Sequence, residues 1–546
     1  MADSLQGQSA DDRRIRRIAI VGGGTAGWMA ASMLARALPD NRCAICVIES
    51  PDIGTVGVGE ATIPPFIDLL RYLDINEADF IRHTQSTFKL GIKFRDWRRI
   101  GHSYWHPFGT FGTTIDRRPF YHYWQRAEAE GLAPRFNDYS LCAALADDGR
   151  FRYPDPRAQG PIAGLRYALQ FDASLVAAYL RTYSERRGVA RLERTVSAAT
   201  QRADGFIDEL VFADGTRMQA DLYIDCSGFR GLLIEQTLKT GYLDWSDVLP
   251  CDRAVAVPTQ LSGARAPYTL SSARAAGWQW RIPLQHRAGN GYVYCSAHLE
   301  DAAAHDDLMR TVGEKPLAEP RFLRFVTGRR KLFWNRNCVT LGLASGFLEP
   351  LESTSIHLVM SGMYNLLDHF PDRSFEQANI DSYNAELIDE MESIRDFIVL
   401  HYCATQRADT PLWAYCQSMK LPPSLLQRIE LYRGSGRIRP KPRELFTDLS
   451  WFYIFDGLGV RPGSYDPLVG GSNFPQVLEV MQALRSQVAQ DLRSAPTHDS
   501  YFAVGAPTAG AATAGAATAA AGEAGASRTG ASQTGAGSER LAGSGR

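Results

Sequence analysis

A glycine-rich turn near the start of the chain restricts its fold more than any other segment. The run RRIAIVGGGTAGWMAASMLARAL has the pattern of a strand, a turn and a helix, and its glycines fit G-x-G-x-x-G. The first glycine allows a tight bend, the second lets the backbone approach a pyrophosphate, and the third lets the helix pack on the strand. The helix N-terminus then faces the phosphates. The turn predicts dinucleotide contacts at Gly22, Gly23, Gly24, Thr25, Ala26 and Gly27.

An acidic residue stands where such a site needs one. The next strand-like run, CAICVIES, ends at Glu49, 22 residues after Gly27. An acid at this distance can accept a hydrogen bond from a ribose 2′-hydroxyl. A glycine turn without a ligand is the alternative, and the agreement of strand, turn, helix, strand and acid argues against it. The turn alone does not decide between FAD and NAD.

Later segments return to the same sheet. Residues 194–231 read as a small β-meander with Asp-Gly turns, followed by a strand that ends at Asp225-Cys226-Ser227-Gly228. Another strand is predicted at 339–343, and a helix is expected to begin near Ser353 and Thr354. Both strands should lie beside the 18–21 strand in one α/β sheet. Apolar spacing over 375–402 indicates one long helix.

Composition excludes several classes of protein. The 546 residues are 45% hydrophobic and 22% charged, with a net charge of -1 and no basic stripe, so nucleic acid is not an expected partner. The nine cysteines show no disulfide pattern, which favours a reducing cytoplasm. The C-x-x-C pair Cys43 and Cys46 falls in an apolar run and is interpreted as core, not as a metal site. The sequence shows neither a secretory signal nor a membrane span.

The two ends differ from the body of the chain. Residues 1–13 are polar, and residues 505–546 consist almost wholly of small Ala, Gly, Thr and Ser side chains. Neither end can bury enough apolar surface to offset its ordering entropy, so both are predicted to be disordered. One catalytic unit is expected over 14–500.

Five short segments resemble the flavin-dependent tryptophan halogenase family. Within GWQWRIP, the pattern W-x-W-x-I-P is the family's signature, and the other four occur in the family's order within 15–410. The segments are GVGEATIPPF (57–66), FKLGIKFRDW (88–97), YWHPFG (104–109), GWQWRIP (277–283) and PLESTS (350–355).

The resemblance implies an α/β fold with a doubly wound, hydroxylase-type FAD-binding box and a mostly helical substrate module. It implies FAD used as FADH2, chloride or bromide, a small aromatic substrate and a separate flavin reductase. By position it assigns catalysis to Lys89 and Glu352, and halide contacts to the backbone of Thr354 and Ser355. It adds FAD contacts at Glu60, Val196, Leu343, Ser353 and Ile356, and a substrate pocket at His106, Phe108, Trp278, Trp280 and Trp451.

In the family, the two tryptophans keep the organic substrate away from the flavin. Halide is oxidised to hypohalous acid at the flavin, and this small neutral molecule moves to a separate substrate pocket. There an amine holds or captures it, and a carboxylate stabilises the positive charge that develops on the ring. The matching residues are Lys89 and Glu352.

The surroundings of Lys89 favour a strand. Phe88, Leu90, Ile92 and Phe94 alternate with polar or small residues, which would put Lys89 and Lys93 on one face. That face is either solvent-exposed or the wall of a polar tunnel. The family match selects Lys89.

Two departures from the family concern the substrate. Members that act on free tryptophan usually read E-S-T-G, whereas this chain has Ser355 at the last position, where a left-handed backbone would disfavour serine. The region that grips the amino acid is also not recognisable. In its place stands a segment rich in aromatic residues (443–468), whose Trp451, Phe452, Tyr453 and Phe455 either line a pocket or fill a core. Indole or another electron-rich arene is therefore as good a candidate as tryptophan.

Three other functions make different predictions. A flavin hydroxylase predicts a substrate cavity that opens onto the flavin ring. A flavin protein that has lost catalysis predicts the loss of Lys89 or Glu352, and both are present. A nicotinamide dehydrogenase gives the later motifs no role, and the sequence has no second G-x-G-x-x-G.

Overall fold

The computed structural model describes residues 13–38, 43–51 and 59–503, which contain 22 strands and 13 α-helices. The strands are β1 (Arg17–Val21), β2 (Ala44–Glu49), β3 (Gly59–Ala61), β4 (Thr87–Lys89), β5 (Gly91–Arg95), β6 (Ser103–Pro107), β7 (Ala168–Asp172), β8 (Ala190–Glu193), β9 (Val196–Gln201), β10 (Ile207–Phe212), β11 (Arg217–Gln219), β12 (Leu222–Asp225), β13 (Tyr242–Asp244), β14 (Arg253–Thr259), β15 (Thr269–Arg274), β16 (Gly277–Pro283), β17 (Ala288–Tyr294), β18 (Arg321–Arg324), β19 (Gly328–Arg330), β20 (Trp334–Asn335), β21 (Cys338–Thr340) and β22 (Gly346–Phe347). The helices are α1 (Thr25–Ala37), α2 (Pro65–Tyr72), α3 (Glu77–Thr84), α4 (Phe120–Ala129), α5 (Leu141–Asp147), α6 (Ala173–Glu185), α7 (Asp301–Val312), α8 (Ser355–Asp368), α9 (Gln377–Cys403), α10 (Pro411–Ser418), α11 (Pro423–Ser435), α12 (Asp448–Leu458) and α13 (Phe474–Ser494).

The predicted parallel sheet is present. Its strand order is β20-β21-β12-β1-β2-β8, and β1 pairs in parallel with both β2 and β12. β21 pairs in parallel with β12, so the three strands expected to lie side by side do so. The strand ends meet at one edge of the sheet, where an open α/β sheet binds its ligand.

The meander and the long helix are also confirmed. β9, β10 and β11 form a three-stranded antiparallel sheet, with Gly205 and Gly215 at positive φ in its two turns. α9 has 27 residues, and every residue from Asp396 to Tyr402 is buried. A helix buried on all sides along this stretch can place polar side chains inside the protein, far from water.

A second large sheet was not expected from the sequence. Its seven strands run β18-β14-β17-β16-β15-β5-β6, and every pairing except β5 with β15 is antiparallel. The W-x-W-x-I-P segment is β16, in the interior of this sheet, and His106 lies on its edge strand β6. A smaller sheet, β3-β7-β4, carries Glu60 and Lys89. The named elements beyond Pro350 are all helical, as the expected substrate module requires.

The remaining expectations concern single features. The predicted disordered ends lie outside the described residues, except for Arg13. Cys43 and Cys46 are half-buried free thiols that pack against the core. Within the described ranges no helix is long and apolar enough to cross a membrane, and no group of three or more potential metal ligands is formed.

Candidate active site

A cavity of about 620 Å³ opens beside the glycine turn, where the parallel sheet meets β16. Residues from both large sheets line it, together with the loop that precedes α8. Most of the residues predicted to contact FAD or halide lie on its wall. They are Gly22, Gly23, Gly24, Thr25, Ala26, Glu49, Glu60, Val196, Leu343, Ser353, Thr354, Ser355 and Ile356.

The glycine turn has the geometry of a dinucleotide cradle. Gly22 has a φ of +122°, and a Cβ there would lie 2.2 Å from the Cys226 carbonyl oxygen. A Cβ on Gly27 would lie 1.8 Å from the Gly22 carbonyl oxygen, so this glycine serves helix packing and is absent from the cavity wall. A Cβ on Gly24 would meet nothing within 4 Å, which leaves its backbone open to a ligand. The cradle therefore fits the pyrophosphate of FAD.

Glu49 ends β2 directly beside the turn. A Cβ on Gly23 would lie 1.8 Å from its Oε2, so only glycine allows this approach. Its carboxylate accepts from Trp28 Nε1 at 3.3 Å and pairs with Arg191. These partners hold a half-buried carboxylate beside the position that a ribose hydroxyl would take, where it can accept a hydrogen bond from that hydroxyl.

Glu60 lies across the cavity, on β3. Burial raises the pKa of its carboxyl group to about 7. A carboxyl group titrating near neutrality on the cavity wall can hold a proton next to the bound cofactor.

The loop from Leu348 to Thr354 lines part of the cavity and also carries Glu352, which is absent from the cavity wall. Ser353 has a left-handed backbone with a φ of 59°, and α8 begins at Ser355. The left-handed strain anticipated at Ser355 therefore falls on Ser353, and Ser355 has an ordinary helical position. The first N–H groups of a helix have no partner within it, so the start of α8 can receive an anion such as halide. The Thr354 Oγ1 there is buried and without a partner in the described chain.

Lys89 contacts this loop and is absent from the cavity wall. Its Nζ donates to the Thr62 carbonyl oxygen at 3.0 Å and to Ser353 Oγ at 2.7 Å, and it lies 5.3 Å from the Phe108 ring centre. The side chain is fully buried. Burial lowers its pKa to about 7, although Glu352 acts in the opposite direction.

The expectation that Lys89 and Lys93 share one strand face was wrong. The chain leaves the small sheet after Lys89 and joins the seven-stranded sheet at Gly91, so the two lysines lie on different strands. Lys93 is half-buried and pairs with Asp147 at 2.6 Å. The alternation of apolar residues continues through Leu90, where one strand ends and the next begins, because the residues on both sides are buried. The pattern therefore does not reveal that there are two strands.

The carboxylate of Glu352 lies between two histidine side chains. Its Oε2 lies 2.7 Å from His106 Nδ1, and its Oε1 lies 2.8 Å from His401 Nε2. The N–H of His401 is poorly aligned with that oxygen, so the hydrogen bond to Glu352 comes from His106. Burial alone would raise the pKa of Glu352, but the two histidines outweigh it and lower the pKa to about 2. The group is therefore a carboxylate at neutral pH.

Sequence reasoning missed His401 and its partner Tyr104. Tyr104 lies on β6, and its hydroxyl is 2.9 Å from His401 Nδ1. Burial lowers the pKa of His401 and raises that of Tyr104 well above its usual value, which favours a neutral imidazole. The signal in the sequence was a histidine within the apolar run FIVLHYC of a long helix.

Trp278 and Trp280 point to the same side of β16, with ring centres 6.1 Å apart. Trp280 lines the cavity. Trp278 lies behind it, and its Nε1 donates to Glu349 Oε2 at 2.7 Å. Two tryptophan side chains therefore stand between the cavity and the interior of the protein.

The aromatic cluster of α12 is core. Trp451, Phe452 and Phe455 have no solvent exposure, and Tyr453 has 4%. Trp451 packs on Phe397 at 4.9 Å, and Phe397 packs on His106 at 5.4 Å. The Phe397 ring therefore contacts both Trp451 and His106.

The family model described as tryptophan halogenase matches residues 17–473. The chain belongs to this family. Tryptophan 6-halogenase ThaL of Streptomyces albogriseolus is 34% identical to this halogenase, over 87% of this chain and 95% of the relative. Xcc4156, a flavin-dependent halogenase from Xanthomonas campestris, superposes with a TM-score of 0.86 and 44% identity, over 90% and 98% of the two chains. BrvH, a flavin-dependent halogenase from Brevundimonas sp. BAL3, gives a TM-score of 0.86 and 42% identity, over 90% and 99%.

These matches confirm the predicted family, fold class and enzyme class. This halogenase is an oxidoreductase that uses FAD, as FADH2, and a halide ion. The hydroxylase alternative is not favoured. FAD fits the cavity in the structure, since the glycine cradle, Glu49 and the open backbone at Gly24 suit a dinucleotide.

Proposed function

We propose that this halogenase transfers chlorine or bromine to an electron-rich aromatic ring of the indole class, with Lys89 and Glu352 as its catalytic residues. It acts in the cytoplasm on FADH2 from a separate flavin reductase. A reducing cytoplasm suits its nine cysteines, none of which forms a disulfide.

One hydrogen bond carries the proposal. Ser353 lies on the cavity wall, and its hydroxyl oxygen accepts from the fully buried Nζ of Lys89 at 2.7 Å. A single residue thus contacts both the cofactor cavity and the proposed halogen carrier. A small oxidant formed in the cavity needs to pass only this loop to reach the amine.

Several residues would hold the cofactor and its halide. The backbone of the glycine turn would receive the pyrophosphate, Glu49 the ribose, and the N-terminus of α8 the halide. Bound FADH2 supplies the electrons that reduce oxygen and allow the halide to be oxidised to hypohalous acid.

Lys89 would capture the oxidant as a neutral amine. With a pKa near 7, a large fraction of the group carries a free electron pair at neutral pH. Attack on hypohalous acid forms an N–X bond and releases water, and transfer of X to the ring restores the amine. In the neutral amine, both N–H groups donate, one to the Thr62 carbonyl oxygen and one to Ser353 Oγ, and this orients the free electron pair. The haloamine keeps one N–H, which can still donate to one of the two acceptors.

Glu352 would act on the ring. Addition of an electrophilic halogen makes the ring a cation, which a nearby carboxylate stabilises. The carboxylate then accepts the ring proton. The lysine nitrogen regains one proton when it gives up the halogen. The overall reaction converts hypohalous acid and arene into halogenated arene and water. His106 and His401 keep Glu352 ionised for this step.

The choice of substrate class rests on sequence and family. The chain lacks a recognisable grip for the amino-acid group of tryptophan. Aromatic side chains around Lys89 and His106 favour a flat apolar ring. Indole, alone or within a larger molecule, fits these features.

The test is a product assay. The protein is incubated with a flavin reductase, NADH, FAD, a halide and a panel that includes indole and tryptophan, and products are read by mass spectrometry. We expect a halogen isotope pattern, with indole converted at least as well as tryptophan. Hydroxylated product without halogen would contradict the proposal, and a strong preference for free tryptophan would contradict the substrate class.

A further inference from the structure

A second buried carboxyl group lies three residues before Glu352, and the proposed transfer does not use it. Glu349 has no solvent exposure. Its Oε2 accepts from Trp278 Nε1 at 2.7 Å and from the Tyr402 hydroxyl at 2.6 Å. Its Oε1 is buried and has no partner in the described chain. Burying a carboxyl group costs free energy unless hydrogen bonds compensate, and here one of its two oxygens has none among the described residues.

The two glutamates of the loop are held by consecutive residues of α9. His401 lies 2.8 Å from Glu352, and Tyr402 donates to Glu349. One rigid helix therefore contacts both carboxyl groups. A shift of the loop would have to break both contacts together.

Glu349 also joins the loop to the tryptophan wall. Trp278 donates to it from β16, and Trp280 on the same strand lines the cavity. The group thus connects three elements: the strand that walls the flavin cavity, the loop that carries Glu352, and α9. Glu349 belongs to the loop itself, and short hydrogen bonds join it to β16 and α9 in surroundings from which water is excluded, where such bonds are strong.

The rest of the surroundings is aromatic and uncharged. Trp97 packs against Tyr402 at 5.3 Å and against Trp278 at 6.4 Å. The Cys251 thiol lies 3.7 Å from the Tyr402 hydroxyl. Burial raises the pKa of Glu349 to about 7, against the effect of its two donors.

We propose that Glu349 is a positioning residue of halogen transfer, which locks the Trp278 wall and the Glu352 loop to α9 so that the oxidant reaches the substrate. This inference rests on the proposed function. Hypohalous acid is lost if its path to the amine widens, and misplacement of reacting groups by about 1 Å can cost about 100-fold in rate. Loss of the lock should therefore lower the yield of product for each flavin oxidised.

The test compares Glu349→Gln with Glu349→Ala. The glutamine carbonyl oxygen can accept from both donors, whereas alanine leaves both without an acceptor. Halogenated indole per FADH2 oxidised should stay within about twofold of the parent value in Glu349→Gln. It should fall about tenfold in Glu349→Ala, with more hydrogen peroxide released and an unchanged flavin affinity, in line with the cost of misplacement.

The donors provide a second test, which also serves if Glu349→Ala fails to fold. Trp278→Phe and Tyr402→Phe each remove one donor, and both should lower the yield. The double variant should be no worse than the sum of the two, since the donors share one acceptor atom. The matched control is Trp334→Phe, which removes a buried indole N–H bonded to the Arg336 carbonyl oxygen and should keep the parent yield.

A third measurement needs no cofactor. A carboxyl group whose pKa is higher in the folded than in the unfolded chain destabilises the fold as pH rises through its folded value, here about 7. The stability of flavin-free Glu349→Gln should fall less between pH 5 and 8 than that of the parent, over the interval that the raised pKa defines. An equal fall in stability in the two proteins would show that Glu349 does not titrate as a buried carboxyl group.

Three outcomes would overturn the inference: parent yield in Glu349→Ala, a yield in Glu349→Gln as low as in Glu349→Ala, or parent yield in both donor variants. A failure of the proposed function is distinguishable, because the parent protein would then oxidise FADH2 without any halogenated product.

Discussion

Three buried groups near the loop show how surroundings set charge. Glu352 has two histidine partners and a pKa of about 2, whereas Glu349, with only neutral donors, has a pKa of about 7. Burial lowers the pKa of Lys89 to about 7 as well. Environments that push the pKa values of neighbouring groups apart are typical of sites that assign different roles to them.

The titration of Lys89 predicts the pH dependence of transfer. Only the neutral amine has an electron pair for the halogen, and Glu352 stays ionised throughout the range. The single-turnover rate of halogenation, with FADH2 supplied in advance, should therefore rise as pH increases through about 7. A rate that falls over this interval would mean that the ammonium form is the active one.

Glu60 and Glu349 titrate in the same range and need controls. Glu60→Gln and Glu349→Gln remove the two carboxyl groups one at a time. Both variants should keep a rising profile with its midpoint near that of the parent. A profile that becomes flat in either one would assign the titration to that carboxyl group.

Glu49 is predicted to contribute to the affinity for FAD. Glu49→Ala removes the acceptor beside the glycine turn and should weaken FAD binding by about 1–3 kcal/mol, the usual cost of a hydrogen bond to a charged group. Fluorescence titration with FAD measures this. Glu209→Ala, which removes a carboxylate that pairs with Arg217 in the meander, should bind FAD like the parent.

At the scale of elements, local patterns predicted some parts well and others not at all. The glycine turn, the meander and α9 follow from turn residues and apolar periodicity within one segment. The seven-stranded sheet joins β5 and β6 to strands more than 150 residues later, and nothing local encodes such a pairing. The same limit hid His401, because its partner Glu352 is distant in sequence, whereas Lys89 was found through its family motif.

The packing of β16 on β17 gives a prediction for the cavity wall. Gly291 is opposite Trp280, and a Cβ there would lie 2.1 Å from the indole Cη2. Gly291→Ala should push the ring into the cavity that it lines and lower FAD affinity by about tenfold, the effect of a loss of about 1.4 kcal/mol.

A double variant tests the cause of this effect. In Gly291→Ala with Trp280→Ala the ring is gone, so the added methyl group should cost little beyond the effect of Trp280→Ala alone. Gly434→Ala, on α11, is the matched control, because a Cβ there meets nothing within 4 Å. Additive losses in the double variant would contradict the predicted contact.

At the scale of the whole molecule, the proposed mechanism divides the chemistry between two places. The parallel sheet and β16 line the flavin cavity, whereas Lys89 and Glu352 are absent from its wall and Lys89 bonds to Ser353, which lines it. In the proposal, the oxidant is made in the cavity and used at Lys89 and Glu352. Formation and use of the oxidant should therefore be separable by mutation.

The comparison of Lys89→Ala with Lys93→Ala tests this division most directly. Each variant is supplied with FADH2, oxygen, bromide and indole, and flavin oxidation and brominated indole are measured in the same sample. Lys89→Ala should oxidise FADH2 at the parent rate and give no brominated product. Lys93→Ala loses the pair with Asp147 and the contacts with the Trp105 and Tyr268 rings, and it should brominate like the parent. Bromination by Lys89→Ala at near the parent rate would contradict the account.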